Sequence, residues 1–196
     1  MQQITFDIPH CVGPKASSEA RLTCDKFLQT CLRTIAKGSA KTVSRPSYSV
    51  GPGQTQVTFD LYGVFEEDSL PLNNAVALQA LLRCLTAINI DFLRRFGGKY
   101  PDLYNSGVRY DRTQVWDSYP ALYARGYGDC KSLSCARIAD LLVRGGVLTH
   151  LVFRWIKTDN GITNYHILVQ NGNSYEDPSK VCGMGKDENA YFARTG

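Results

Sequence analysis

The stretch from Cys130 to Asp177 limits what this chain can fold into more than any other part. An apolar run from Leu133 to Val143 has helical spacing, and Gly145-Gly146 stops it. Three segments of strand character follow: Val147 to Lys157, Thr163 to Gln170 and Ser174 to Asp177. Asp159-Asn160-Gly161 and Asn171-Gly172 separate them. Asn-Gly is a common two-residue hairpin turn, because a type I′ turn needs positive φ at both central positions. A buried helix followed by an antiparallel meander is an α+β arrangement.

Upstream, Gln3 to Ile8 alternates as a strand does, and Glu19 to Ala36 has helical spacing with Gly38 past its end. A basic loop is expected from Gly38 to Gly53, then a strand from Gln56 to Phe65. Pro71 to Phe96 is the longest helical pattern, with Leu78, Leu81, Leu82, Leu85, Phe92 and Phe96 three and four apart. That stripe is core packing rather than a cofactor site. Tyr100 to Thr113 reads as an ordered loop, and Val115 to Ala124 as a short helix interrupted by Pro120. The expected organisation is an N-terminal strand-helix-strand extension over residues 1–65 and a core over 66–196.

The 196 residues are 43% hydrophobic and 20% charged, ordinary for a globular protein, so the balance argues against a disordered or fibrous chain. A net charge of +4, without a run of basic residues, does not indicate nucleic acid. No stretch approaches the 18 apolar residues of a membrane span and Met1-Gln2-Gln3 opens no signal peptide, so a cytoplasmic protein without a membrane partner is expected. The seven cysteines, at 11, 24, 31, 84, 130, 135 and 182, show neither a disulfide framework nor zinc-ligand spacing. Cys24, Cys31 and Cys84 read as small buried hydrophobes.

Cys130 differs from the rest. It follows Asp129, a good N-cap residue, at the expected start of a helix. Unpaired N–H groups there favour a thiolate, so its pKa is expected to be lowered. Gly126 and Gly128 let the approaching backbone turn. If Asn171-Gly172 forms the turn, His166 lies directly opposite Asp177, within reach of a side-chain hydrogen bond. A thiol at a helix start and a histidine oriented by a carboxylate make a catalytic triad: Cys130, His166 and Asp177.

Gly-Asp-Cys-Lys-Ser-Leu opening a helix, Tyr-His-Ile-Leu-Val on a strand and Glu-Asp-Pro-Ser after a hairpin resemble the transglutaminase-like superfamily of papain-like cysteine enzymes. The resemblance spans about Trp116 to Gly185. It implies a papain-like core, with the nucleophile helix packed on an antiparallel sheet. It also implies acyl transfer through a thioester on a protein or peptide substrate, with no cofactor and no metal. The stretches from Tyr100-Pro101 through Arg109-Tyr110 and from Trp116 to Gly128 further resemble small viral or prophage-type members, which would put the protein in a host cytoplasm or a virion. Members of the superfamily include peptidases, amidases, cross-linkers and inactive scaffolds. The leading expectation is a hydrolase of peptide or isopeptide bonds. A protein-glutamine transglutaminase or deamidase comes second, and a non-catalytic binding module third. An aromatic or amide side chain upstream often completes the oxyanion hole in this family. Trp116 is the best-placed candidate, Gln114 is a further one, and Tyr119, Tyr123 and Tyr127 compete.

The remaining candidates have plainer readings. His10 and His150 read as structural or exposed, and Cys135 as buried on another side of the helix. Glu66-Glu67, adjacent in sequence, would face opposite ways on a strand.

Overall fold

A computed structural model describes residues 2–9, 42–43, 47–51, 54–62, 71–157 and 163–185, with side chains over 78–154 and 165–185. The expected helix over 19–36, His10, Cys11, Cys24, Cys31, Glu66-Glu67 and the turn at 159–161 lie outside those residues.

The architecture mixes helix and sheet. Strands β1 (Gln2–Pro9), β2 (Thr42–Val43), β3 (Ser47–Gly51) and β4 (Gln54–Tyr62) precede helix α1 (Pro71–Phe96). Short strands β5 (Arg109–Tyr110), β6 (Trp116–Asp117) and β7 (Tyr127–Gly128) surround α2 (Tyr119–Arg125). Then come α3 (Cys130–Gly145), β8 (His150–Lys157), β9 (Thr163–Asn171), β10 (Ser174–Glu176) and α4 (Pro178–Val181). The expected basic loop over 38–53 therefore contains β2 and β3, both paired antiparallel to β4. Ser47 to Val50 does alternate, but Pro46 before it and Gly51-Pro52-Gly53 after it carry turn signals that hide so short a strand. β1 pairs with β4 on one side and runs parallel to β6 on the other.

Helix α1 occupies the expected span. Leu81, Leu82 and Leu85 are fully buried, and Leu78 and Ile88 nearly so. Burying a leucine side chain stabilises by about 1.5–3 kcal/mol, so this stripe is a main anchor of the fold. α1 packs on α3, where the small side chains of Ala136 and Ala139 allow close approach and Leu133 fills the core. The Cys135 thiol donates to the Leu82 carbonyl at 3.3 Å, between the two helices. Cys84 and Cys135 are buried, as expected.

Pro120 does not interrupt a helix; it lies in the first turn of α2, where its missing N–H costs nothing. Strands β8, β9 and β10 form an antiparallel sheet in chain order, as the turn signals imply. Its last register differs from expectation. Tyr175 pairs with Gln170 and Glu176 with Val169, so Gly172 and Asn173 form the turn instead of Asn171 and Gly172. Gly172 has φ +57°, the left-handed conformation such a turn requires. Among the described residues, no helix is long and apolar enough to cross a membrane.

Candidate active site

Two glycines bring the chain to Cys130. Gly126 ends α2 with φ +80°, a conformation that favours glycine. A Cβ on Gly128 would lie 2.5 Å from Cδ1 of the fully buried Leu122, so this position admits no side chain without displacing the core. Asp129 then caps α3, its Oδ1 accepting from the Lys131 N–H at 3.2 Å. Cys130 is thus the first residue of α3, as the cap signal predicts.

Two serines hold this end of the helix between the sheets. Ser132 Oγ accepts from the Asp117 N–H at 3.1 Å, and Ser134 Oγ donates to the Ile167 carbonyl at 3.0 Å. The second bond joins α3 to β9 beside His166. The buried Asp117 carboxylate takes a two-pronged contact from Arg125, at 2.9 and 3.0 Å. Such a fork keeps a buried carboxylate satisfied. Loop 110–114 is fixed from both sides. Asp111 N–H donates to Gly128 O at 2.9 Å, and Lys131 Nζ donates to Thr113 O at 2.6 Å. The same ammonium pairs with the Asp129 carboxylate.

These elements enclose a cavity of about 390 Å³ lined by Tyr110, Arg112, Thr113, Gln114, Asp129, Cys130, Lys131, Tyr165 and His166. Cys130 and His166 therefore share one cavity. His166 is only 3% exposed, and its Nε2 lies 2.9 Å from Asp177 Oδ2. An ionised carboxylate only accepts, so this contact puts a proton on Nε2 and leaves Nδ1 as the basic ring nitrogen.

Asp177 reaches His166 by a route the sequence reading did not foresee. It is not opposite His166, because the register carries it two residues along, and it is not on the strand. It is the N-cap of α4, with Oδ1 accepting from the Lys180 N–H at 3.2 Å and Oδ2 left to meet His166. A displacement of two residues preserves the sheet face, so the contact survives diagonally.

The electrostatics of Cys130 reverse the expectation. Burial pushes its thiol up to about 12, and the neighbouring Asp129 carboxylate pushes the same way. Lys131 and the Ile167 N–H oppose them. A helix start contributes typically 0.3–1 kcal/mol, whereas desolvating a thiolate costs several, so desolvation wins. Burial also raises the Asp129 carboxyl.

Of the two oxyanion candidates, Gln114 lines the cavity with Cys130, and Trp116 does not. Trp116 is buried, and the Lys131 ammonium sits 5.8 Å from its ring centroid. Tyr119 and Tyr123 are committed elsewhere, to each other and to the Pro101 carbonyl. Tyr127 is partly exposed, with Arg125 over its ring at 5.7 Å. His150 is exposed. Sequence reasoning missed Lys131, Arg112 and Tyr165 as parts of the cavity. Only Lys131, adjacent to Cys130, carried a signal. Among the described residues, no group of three or more His, Cys, Asp or Glu is placed to hold a metal ion.

Comparison of the chain with protein-family models, curated proteins and solved structures returns no match.

Proposed function

We propose that the protein is a thiol acyl-transfer enzyme with a transglutaminase-like, papain-like core, hydrolysing peptide or isopeptide bonds. One observation carries the reading. Cys130, at the start of α3, shares a cavity with His166, whose Nε2 is held by Asp177 at 2.9 Å. Burial holds Cys130 protonated at rest, so His166 acts as a general base and not as half of a preformed ion pair. As Sγ attacks the substrate carbonyl carbon, its proton passes to His166 Nδ1 and the carbonyl electrons move onto oxygen. The Cys130 backbone N–H and the Gln114 amide are the donors available to that oxyanion. The C–N bond then breaks and the amine leaves with the proton from His166. Water, deprotonated by His166, attacks the thioester, and the acid departs as the thiol is restored. Asp177 stabilises the imidazolium in both halves.

A second reading, a binding module that keeps the core without turnover, is favoured by the raised Cys130 thiol itself. Incubation of the full chain with a protein lysate and hydroxylamine separates the two. A hydrolase gives Cys130-dependent hydroxamates on substrate proteins, read by mass spectrometry, and no incorporation of a fluorescent primary amine in a parallel reaction. Cys130-dependent amine incorporation identifies a transglutaminase. Absence of both, with Cys130 also inert to iodoacetamide, identifies the module.

A further inference from the structure

Asp177 stands one residue beyond the last paired residue of β10, so the sheet ladder does not fix it. Its neighbour Glu176 is fixed from the opposite side. Glu176 Oε1 accepts from Arg137 Nε at 2.6 Å and from the Tyr104 hydroxyl. Its Oε2 faces Arg137 Nη2 at 3.5 Å. The Arg137 guanidinium also lies over the Tyr104 ring, 4.4 Å from its centroid. Tyr104 is held in turn by its own backbone, whose N–H donates to Asp102 Oδ1 at 3.0 Å. The Arg137 and Glu176 side chains are only 19% and 26% exposed. With three donors converging on one half-buried carboxylate, this is a stronger tie than an exposed surface pair.

Its location gives the tie a consequence for the site. Arg137 is about two turns along α3 from Cys130, on the same rigid helix. Glu176 is adjacent to Asp177, and successive residues of an extended segment point opposite ways. Anchoring Glu176 to α3 and the 103–105 turn therefore aims Asp177 back at His166. The nucleophile helix and the carboxylate that orients the base are tied through one ion pair.

We propose that Glu176, Arg137 and Tyr104 form a positioning cluster that sets Asp177 against His166 and thereby holds His166 in its Nε2–H tautomer. The proposal rests on the acyl-transfer reading only for its effect on Cys130; its geometric half stands without it.

The test uses the full chain labelled with ¹⁵N-histidine, with the His166 tautomer read by long-range proton–nitrogen correlation. The rate of Cys130 carbamidomethylation by iodoacetamide is read in parallel. In the wild type His166 shows the Nε2–H tautomer. Arg137→Ala and Glu176→Gln give a mixture of tautomers and an alkylation rate about tenfold lower, a part of the 10²–10⁴ that a positioned base supplies. Arg137→Lys, which keeps one charged donor, restores most of both signals. Glu176→Gln keeps the side-chain volume and serves if Arg137→Ala does not fold. An unchanged tautomer in Arg137→Ala or Glu176→Gln overturns the proposal and leaves the cluster as a structural brace. A shifted tautomer, combined with wild-type alkylation that is indifferent to His166→Ala, upholds the positioning role and overturns the acyl-transfer reading.

Discussion

The two ends of α3 each place a carboxylate beside a cation, and they differ in where the other donors come from. At the C-terminal end Asp140 is 2% exposed. Its oxygens accept from the Leu103 N–H at 2.8 Å, the Tyr119 hydroxyl at 3.0 Å and Arg144 Nε at 2.8 Å. Arg144 continues to the carbonyls of Gly97 and Tyr100. Burial raises the Asp140 carboxyl and pushes Tyr123 up to about 12, so the hydroxyls here are donors at any working pH. At the N-terminal end the partners of Asp129 come from its own first turn, the Lys131 N–H and ammonium and the Ser132 N–H, at the wall of a cavity and next to a thiol that burial keeps protonated. A saturated network pins a helix to its neighbours. A charge capped within its own first turn makes no such tie to distant segments, so this end of the helix is held by Ser132, Ser134 and Lys131 instead.

Substitutions at the two ends of α3 should differ in kind and in size. The largest effect is that of Cys130→Ala, which should abolish thioester formation in the hydroxylamine assay while leaving the thermal midpoint close to wild type. A large fall in that midpoint would mean that the thiol is mainly a packing element. Next is Asp177→Asn, expected to lower turnover by about 10²–10⁴ with the α4 cap retained, since asparagine also caps helices. Retention of full turnover would remove Asp177 from the mechanism.

Asp140→Ala should act on the other axis, costing about 3 kcal/mol in urea unfolding because Arg144, Tyr119 and the Leu103 N–H lose a shared acceptor. Wild-type stability in that variant would show the saturated end to be dispensable. The pH dependence of Cys130 alkylation gives a sharper test. With the thiol raised to about 12, a chain lacking His166 should react about tenfold faster per pH unit from about pH 7 to 10, since thiolate is the minor form throughout. The wild type, whose thiol can pass its proton to His166, should be flatter and faster at neutral pH. Parallel profiles for wild type and His166→Ala would refute general-base help. The smallest effect belongs to Asp129→Asn, which keeps the cap but takes the carboxylate from the Lys131 ammonium, and should cost about 1 kcal/mol in urea unfolding. Removing its charge should also lower the Cys130 thiol and speed alkylation; slower alkylation would contradict the repulsion assigned to Asp129.

The legible parts of the molecule were those set by local rules. The apolar stripe of Pro71–Phe96, the Asp129 cap and the glycine break after α3 were all readable, because helix periodicity and capping act within one or two turns. So was the meander order. Strands β2 and β3 were not readable, since β2 is two residues long and the alternation of β3 is enclosed by the turn signals Pro46 and Gly51-Pro52-Gly53. Pro120 was misread because a proline interrupts a helix or starts one depending only on where the first turn falls. Asp177-Pro178 carried the signal of a capped helix start, but a strand ending at the same residue has the same sequence.

The candidate site shows the same division. The sequence singled out the candidates, Cys130, His166 and Asp177, and assigned them to a helix start and a hairpin, because each lies beside its own local signal. Only the tertiary structure decided the rest. The turn shifted to Gly172-Asn173, and the His166–Asp177 bond survived because two residues is the repeat of a strand face. The cavity acquired Gln114 instead of Trp116. The thiol that looked acidic at a helix start became a weak acid, because desolvation depends on everything packed around the sulfur and the helix dipole depends only on the helix.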